Sequence, residues 1–98
     1  MSFDCYPYSD MATATWSTTQ TCIAAPGAGK AIVVLSLQIA GLANTILSGT
    51  TVLSTDLSTS AATVFPFHPQ GWWTLGENEA LKTGANSSGT ATYKIVDV

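Results

Sequence analysis

The segment Lys30–Ala40 constrains this fold more than any other part of the chain. It reads Lys-Ala-Ile-Val-Val-Leu-Ser-Leu-Gln-Ile-Ala. Ile32, Val33, Val34 and Ile39 are β-branched, a shape that crowds a helix and packs well on a pleated surface. From Leu35 onward, apolar residues alternate with Ser36 and Gln38, the period of two that marks a strand. Ile32 and Val34 then share one face, and Val33, Leu35, Leu37 and Ile39 share the other. The early part is apolar on both faces, as in the middle of a sheet or at a subunit contact. A chain of 98 residues is one domain with one modest core.

The flanking segments carry the same β signal, punctuated by Gly, Asn, Ser and Pro. Thr13–Ala24 places Ala14, Trp16, Cys22 and Ala24 on one register, with a bulge expected around Thr18-Thr19. Pro26-Gly27-Ala28-Gly29 is a turn. Gly41-Leu42-Ala43-Asn44 begins a turn or short crossing. Thr45-Ile46-Leu47 and Thr51-Val52-Leu53 flank Ser48-Gly49-Thr50 as a hairpin. A polar loop follows over 56–62. Thr63-Val64-Phe65 runs into Pro66-Phe67-His68-Pro69, where the prolines lack donors and force an edge or an irregular crossing. Trp72–Leu75 and Glu79–Lys82 read as short strands and Gly84–Gly89 as a turn. Thr90–Val98 closes the chain with Ala91, Tyr93, Ile95 and Val98 near the core. About seven to eight short strands at intervals of about ten residues predict an all-β fold, an antiparallel β-sandwich of jelly-roll-like form. Residues 1–12 form an irregular, extended N-terminal arm and 13–98 the sandwich.

Composition narrows the function. Only 9% of residues are charged, against roughly 25% in ordinary soluble domains, and Ser and Thr fill the difference. So little charge protects poorly against self-association, which suits a surface meant to be covered. Net charge is −3, and Lys30, Lys82 and Lys94 are the only Lys or Arg residues. Nucleic-acid binding needs clustered Lys and Arg, so it is not expected. The start, Met1-Ser2-Phe3-Asp4, lacks the basic and apolar regions of a secretory signal. The longest apolar stretch, Ala31–Ala43, contains Ser36 and Gln38 and is too short to span a bilayer. Synthesis in the cytosol and no membrane partner are expected. Cys5 and Cys22 can pair if the arm folds back on the first strand; cytosolic synthesis favours two reduced thiols. Their spacing is not that of a metal site.

Catalytic patterns fail one by one. Gly27-Ala28-Gly29-Lys30 has the look of a phosphate loop, but position 24 is Ala, position 31 is Ala, and a strand follows where a helix should open. His68, the single histidine, has no nucleophile elbow to serve. Glu77 and Glu79 could form the carboxylate pair of a glycosidase, but they read better as charges that keep an edge from pairing. Asn86-Ser87-Ser88 is a sequon without a secretory context. No catalytic, cofactor-binding or metal set emerges, and the chain does not read as an enzyme. Trp72-Trp73, with Trp16, Phe65 and Phe67, is the cluster open to the most readings. Adjacent strand residues face opposite ways, so one Trp can be core while the other is exposed or in an interface. An exposed Trp can anchor a protein contact or stack on a sugar.

The ending of the chain resembles that of small β-sandwich virion proteins of tailed bacteriophages. Gly71-Trp72, Gly76 with Glu79-Ala80-Leu81, Ser88-Gly89 and Tyr93 carry the resemblance, with Gly29-Lys30-Ala31-Ile32-Val33-Val34 upstream. It extends over about residues 27–98 and leaves 1–12 unmatched. It implies an antiparallel sandwich, often a homotrimer, on a capsid surface or tail appendage. The role it implies is a cement or decoration protein bridging major capsid subunits. Phe3, Tyr6, Tyr8, Phe67, Trp72 and Trp73 are then the candidate interface residues, and a surface glycan bound by Trp72 or Trp73 of a fibre module is the alternative.

Overall fold

In the computed structural model the described residues are 11–41, 45–54 and 63–98. The arm residues Phe3, Cys5, Tyr6 and Tyr8, the crossing at 42–44 and the polar loop 56–62 lie outside them. All regular structure among the described residues is β. The strands are β1 (Ala12–Ile23), β2 (Lys30–Gly41), β3 (Ile46–Ser48), β4 (Thr51–Ser54), β5 (Thr63–Phe65), β6 (Trp73–Thr74) and β7 (Leu81–Asp97). The all-β antiparallel class agrees with the pattern read from the sequence. All seven strands hydrogen-bond into one sheet, which curls over its own core.

β7 is the spine. Along one side it pairs with β1, from Ala12 opposite Tyr93 to Ile23 opposite Leu81. Along the other it pairs first with β3, through Leu81–Thr83, and then with β2, from Gly41 opposite Ser87 to Lys30 opposite Asp97. Beyond β2 lie β5 and β6. A bulged strand bends, and β7 bends where β1 steps from Thr21 to Thr19 while β7 advances from Lys82 to Ser87.

This bend corrects the turn expected at Gly84–Gly89. The segment belongs to one continuous strand, bulged over Gly84–Asn86 and regularly paired with β2 over Ser87–Gly89. Its polar residues are claimed by neighbours: Gly84 N–H donates to Thr45 O at 3.1 Å, and Trp16 Nε1–H donates to Ser87 Oγ at 3.0 Å. The strand expected at Glu79–Lys82 accordingly starts at Leu81 and runs on to Asp97. Ile95 and Val98, expected near the core, are exposed, and so is Ala24.

A second correction concerns β2. Val34 pairs with Tyr93 and Ser36 with Thr92, so Leu35 is an extra residue and the faces exchange there. Ile32 and Val34 thus share the core with Leu37 and Ile39, joined by Trp16, Cys22, Ile23, Ile46, Leu75, Leu81 and Ala91. Burial of each large apolar side chain contributes about 1.5–3 kcal/mol. Val33 and Leu35 are buried on the opposite face, under the segment that returns from β5. That segment is pinned to β2: His68 N–H donates to Leu35 O, Trp72 N–H to Val34 O and Leu75 N–H to Ile32 O, at 2.8, 2.7 and 2.8 Å. Gly71, at φ +87°, lies directly on Val33, where a Cβ would collide.

Other expectations agree with the structure. β1 carries its bulge where Thr18 adopts φ +52° and the register skips from Trp16 to Thr19. β3 and β4 form the hairpin, turning through Gly49 at φ +59°.

Candidate functional site

Two exposed features stand apart from the core. The first is the outer face of β1, β7 and β2. Alternation leaves Thr13, Thr15 and Ser17 of β1 on the face opposite Trp16. The register aligns Thr13 with Thr92 and Ser36, then Thr15 with Thr90 and Gln38, and Ser88 with Ala40. Val64 of β5 extends the middle row beside Gln38. These rows contain hydroxyls, an amide and methyl groups, and no charge. Gln38, Ala40, Ser88, Gly89 and Thr90 line a shallow depression of about 280 Å³.

The second feature is an aromatic patch at the sheet margin. Phe65 meets Trp72 edge-on at 5.3 Å and Trp73 at 5.0 Å. The His68 ring stands 5.8 Å from Trp72. Trp73 is half-buried against the core and pairs with Val34, whereas Trp72 remains 39% exposed and Phe67 42%. Trp72 is held in place, because its Nε1–H donates to Pro66 O at 2.7 Å. Of the candidate interface residues, Phe67 and Trp72 are thus surface groups and Trp73 is chiefly a packing group. A depression of about 130 Å³ lined by Ser36, Gln38, Val64, Phe65, Pro66 and Thr90 among others joins this patch to the outer face.

The residues singled out for catalysis are engaged elsewhere. Gly27 N–H donates to Asn78 Oδ1 at 2.9 Å and Gly29 N–H to the Glu77 carboxylate at 2.7 Å. The amides that would cradle a phosphate therefore hold an anionic side chain, and β2 follows the loop. Glu79 turns the other way from Glu77. It accepts a hydrogen bond from Ser48 Oγ at 2.5 Å, and Ser48 Oγ accepts one from Gly76 N–H at 3.0 Å. The two carboxylates tie the 76–79 turn to different neighbours, so they face no common substrate position. His68 Nδ1 accepts from Gln70 N–H at 3.1 Å within its own loop. Among the described residues, no group of three His, Cys, Asp or Glu could hold a metal ion.

Cys22 is a buried free thiol. Burial pushes its pKa up to about 11, against the smaller opposing effect of the Thr83 and Ser87 hydroxyls. It stays protonated at neutral pH, and a thiol, unlike a thiolate, is a poor nucleophile. Thr83, Ser87 and Trp16 form the buried polar cluster around it, with Thr83 Oγ1 and Ser87 Oγ 3.1 Å apart. Its role is to satisfy the indole N–H inside the core.

The outer face was not legible as a surface. Its rows come from three strands distant in sequence, and the only local signal was the alternation of Thr13, Thr15 and Ser17 and of Ser88, Thr90 and Thr92. Comparison with protein-family models, curated proteins and solved structures finds no match.

Proposed function

We propose that this chain is a non-enzymatic virion structural protein of a tailed phage, a capsid cement or decoration protein that bridges neighbouring major capsid subunits. The observation that carries the contact role is the pair of uncharged outer rows Thr13–Thr92–Ser36 and Thr15–Thr90–Gln38, bounded by Lys94 one row on and joined through Phe65 and Pro66 to the exposed Trp72. Such a surface loses little desolvation energy when covered, because no ion must leave water. Aromatic anchors such as Trp72 add the contact energy typical of interface centres. Repetition on a shell multiplies weak individual contacts into firm attachment. The virion setting rests on the resemblance of the Gly71–Tyr93 segment.

Purified particles of the phage that encodes the chain provide the test. The expected result is many copies per particle by quantitative mass spectrometry, with gold label over the head surface. Absence from particles refutes the reading. A second reading, glycan binding by a fibre module, draws on one specific observation: the Trp72 indole is exposed and fixed by its bond to Pro66 O. A sugar that quenches tryptophan fluorescence in the native chain but not in Trp72→Ala would favour it.

A further inference from the structure

β1 is an edge strand. One side is paired with β7 along its length, and among the described residues no strand pairs with the other. Natural sheets blunt such edges with charges, prolines, bulges or shortness, because a bare edge is a template for another strand. β1 has 12 residues, and from Met11 to Ala25 the chain has no charged residue and no proline. Its one device is the bulge at Thr18. Past it the backbone turns to local bonding, as Thr21 N–H donates to Thr19 Oγ1 at 3.3 Å. The regular stretch Ala12–Ser17 is left as an unblunted template.

From this edge we infer that a second copy of the chain pairs antiparallel through Thr13–Ser17, extending the sheet across a two-fold axis at Thr15. The other outer edges are too short to compete: β4 has four residues and β5 three, and β5 is closed by Pro66. A ring built from β1 against either of them would gain fewer main-chain bonds than β1 against itself, so the edges favour a two-fold pair over the homotrimer that the resemblance implies. With the axis at Thr15, facing residues lie on the same side of the sheet. Thr13 stands opposite Ser17, Ala14 opposite Trp16, and Thr15 opposite its own copy. Each chain carries a net charge of −3, but no charged side chain lies on the paired segments, so like charges do not meet there. Pairing also joins the hydroxyl-lined outer rows of the two copies into one surface. It does not depend on the virion setting. Five residues of edge contact per chain bury less than the ~800 Å² per partner of a standard stable interface, so the pair is weak and depends on concentration.

Light scattering tests the inference over a ~100-fold range of concentration, wide enough to carry a two-state association from mostly monomer to mostly dimer. The mass of the native chain should climb from one to two chains. Thr15→Lys sets two ammonium groups face to face at the axis and should remain at one chain throughout, with an unchanged far-UV spectrum and melting temperature. Thr50→Lys, in the exposed turn between β3 and β4, should dimerise like the native chain. Amide exchange within Thr13–Ser17 should slow as the native concentration rises, a readout that does not rely on any variant folding. A native chain that stays monomeric, a three-chain mass, or a Thr15→Lys variant that associates like the native chain would each overturn it.

Discussion

Gly89 has no side chain because its neighbours leave no room for one. It sits in β7 between Trp16 of β1 and Ile39 of β2. A Cβ there would collide with the Gln38 carbonyl oxygen and come within 2.9 Å of Trp16 Cζ2. A backbone atom cannot swing aside as a flexible side chain can. Gly89→Ala should therefore destabilise the fold by about 1–3 kcal/mol, read as a lower urea midpoint. The sign is informative, since Ala in an open strand position would stabilise relative to Gly; an unchanged or higher midpoint would mean that β2 and β7 separate easily. In the sequence, Gly89 reads as a turn residue beside Ser88. A glycine needed for close approach and one needed for a turn look alike until the neighbouring strand is in place. The tryptophans follow the same rule. Strand alternation would turn Trp72 and Trp73 apart, but Trp72 lies outside β6 and both rings pack on Phe65, while the pairing of Trp73 with Val34 puts Trp73 against the core.

At the level of elements, the legible strands were those whose pattern is local. β1, β2 and the β3–β4 hairpin appear with the expected punctuation, including the bulge at Thr18. β7 was read as two strands, since Gly84-Ala85-Asn86-Ser87-Ser88-Gly89 has the composition of a turn. The segment is extended because β1 and β2 supply partners from far along the chain. Ser87 is the key: its hydroxyl accepts the Trp16 indole N–H and lies beside Thr83 Oγ1. Ser87→Ala removes that acceptor and strands a buried donor, which costs about 1–3 kcal/mol. Equilibrium denaturation of Ser87→Ala should show this loss. A neutral result would mean that Thr83 takes over the indole bond. The Leu35 bulge in β2 was equally hidden, because an extra apolar residue in an apolar run leaves no mark on the pattern.

Across the whole molecule, the first described strand pairs with the last: Ala12 lies opposite Tyr93, and β2 flanks the same stretch of β7 from the other side. Pairings between such distant parts close only after a large loss of chain entropy, and sheets of this kind fold slowly, in ms–s. A chain lacking Thr90–Val98 loses the strand that separates β1 from β2. It should show a disordered far-UV spectrum, and recovery of native β signal in that truncation would mean that β1 and β2 can close directly. Taken by itself, the sequence determined that the chain is all-β, where the turns before β2 and between β3 and β4 fall, and that the chain is poor in charge, because these properties depend on residue shape and on spacing over a few positions. The tertiary structure alone decided which residues face the core after the Leu35 bulge, that Gly84–Gly89 is extended, and that among the described residues no strand pairs with the outer edge of β1. Those outcomes depend on which distant strands find each other and in what register, and register is set by the packing of the whole core.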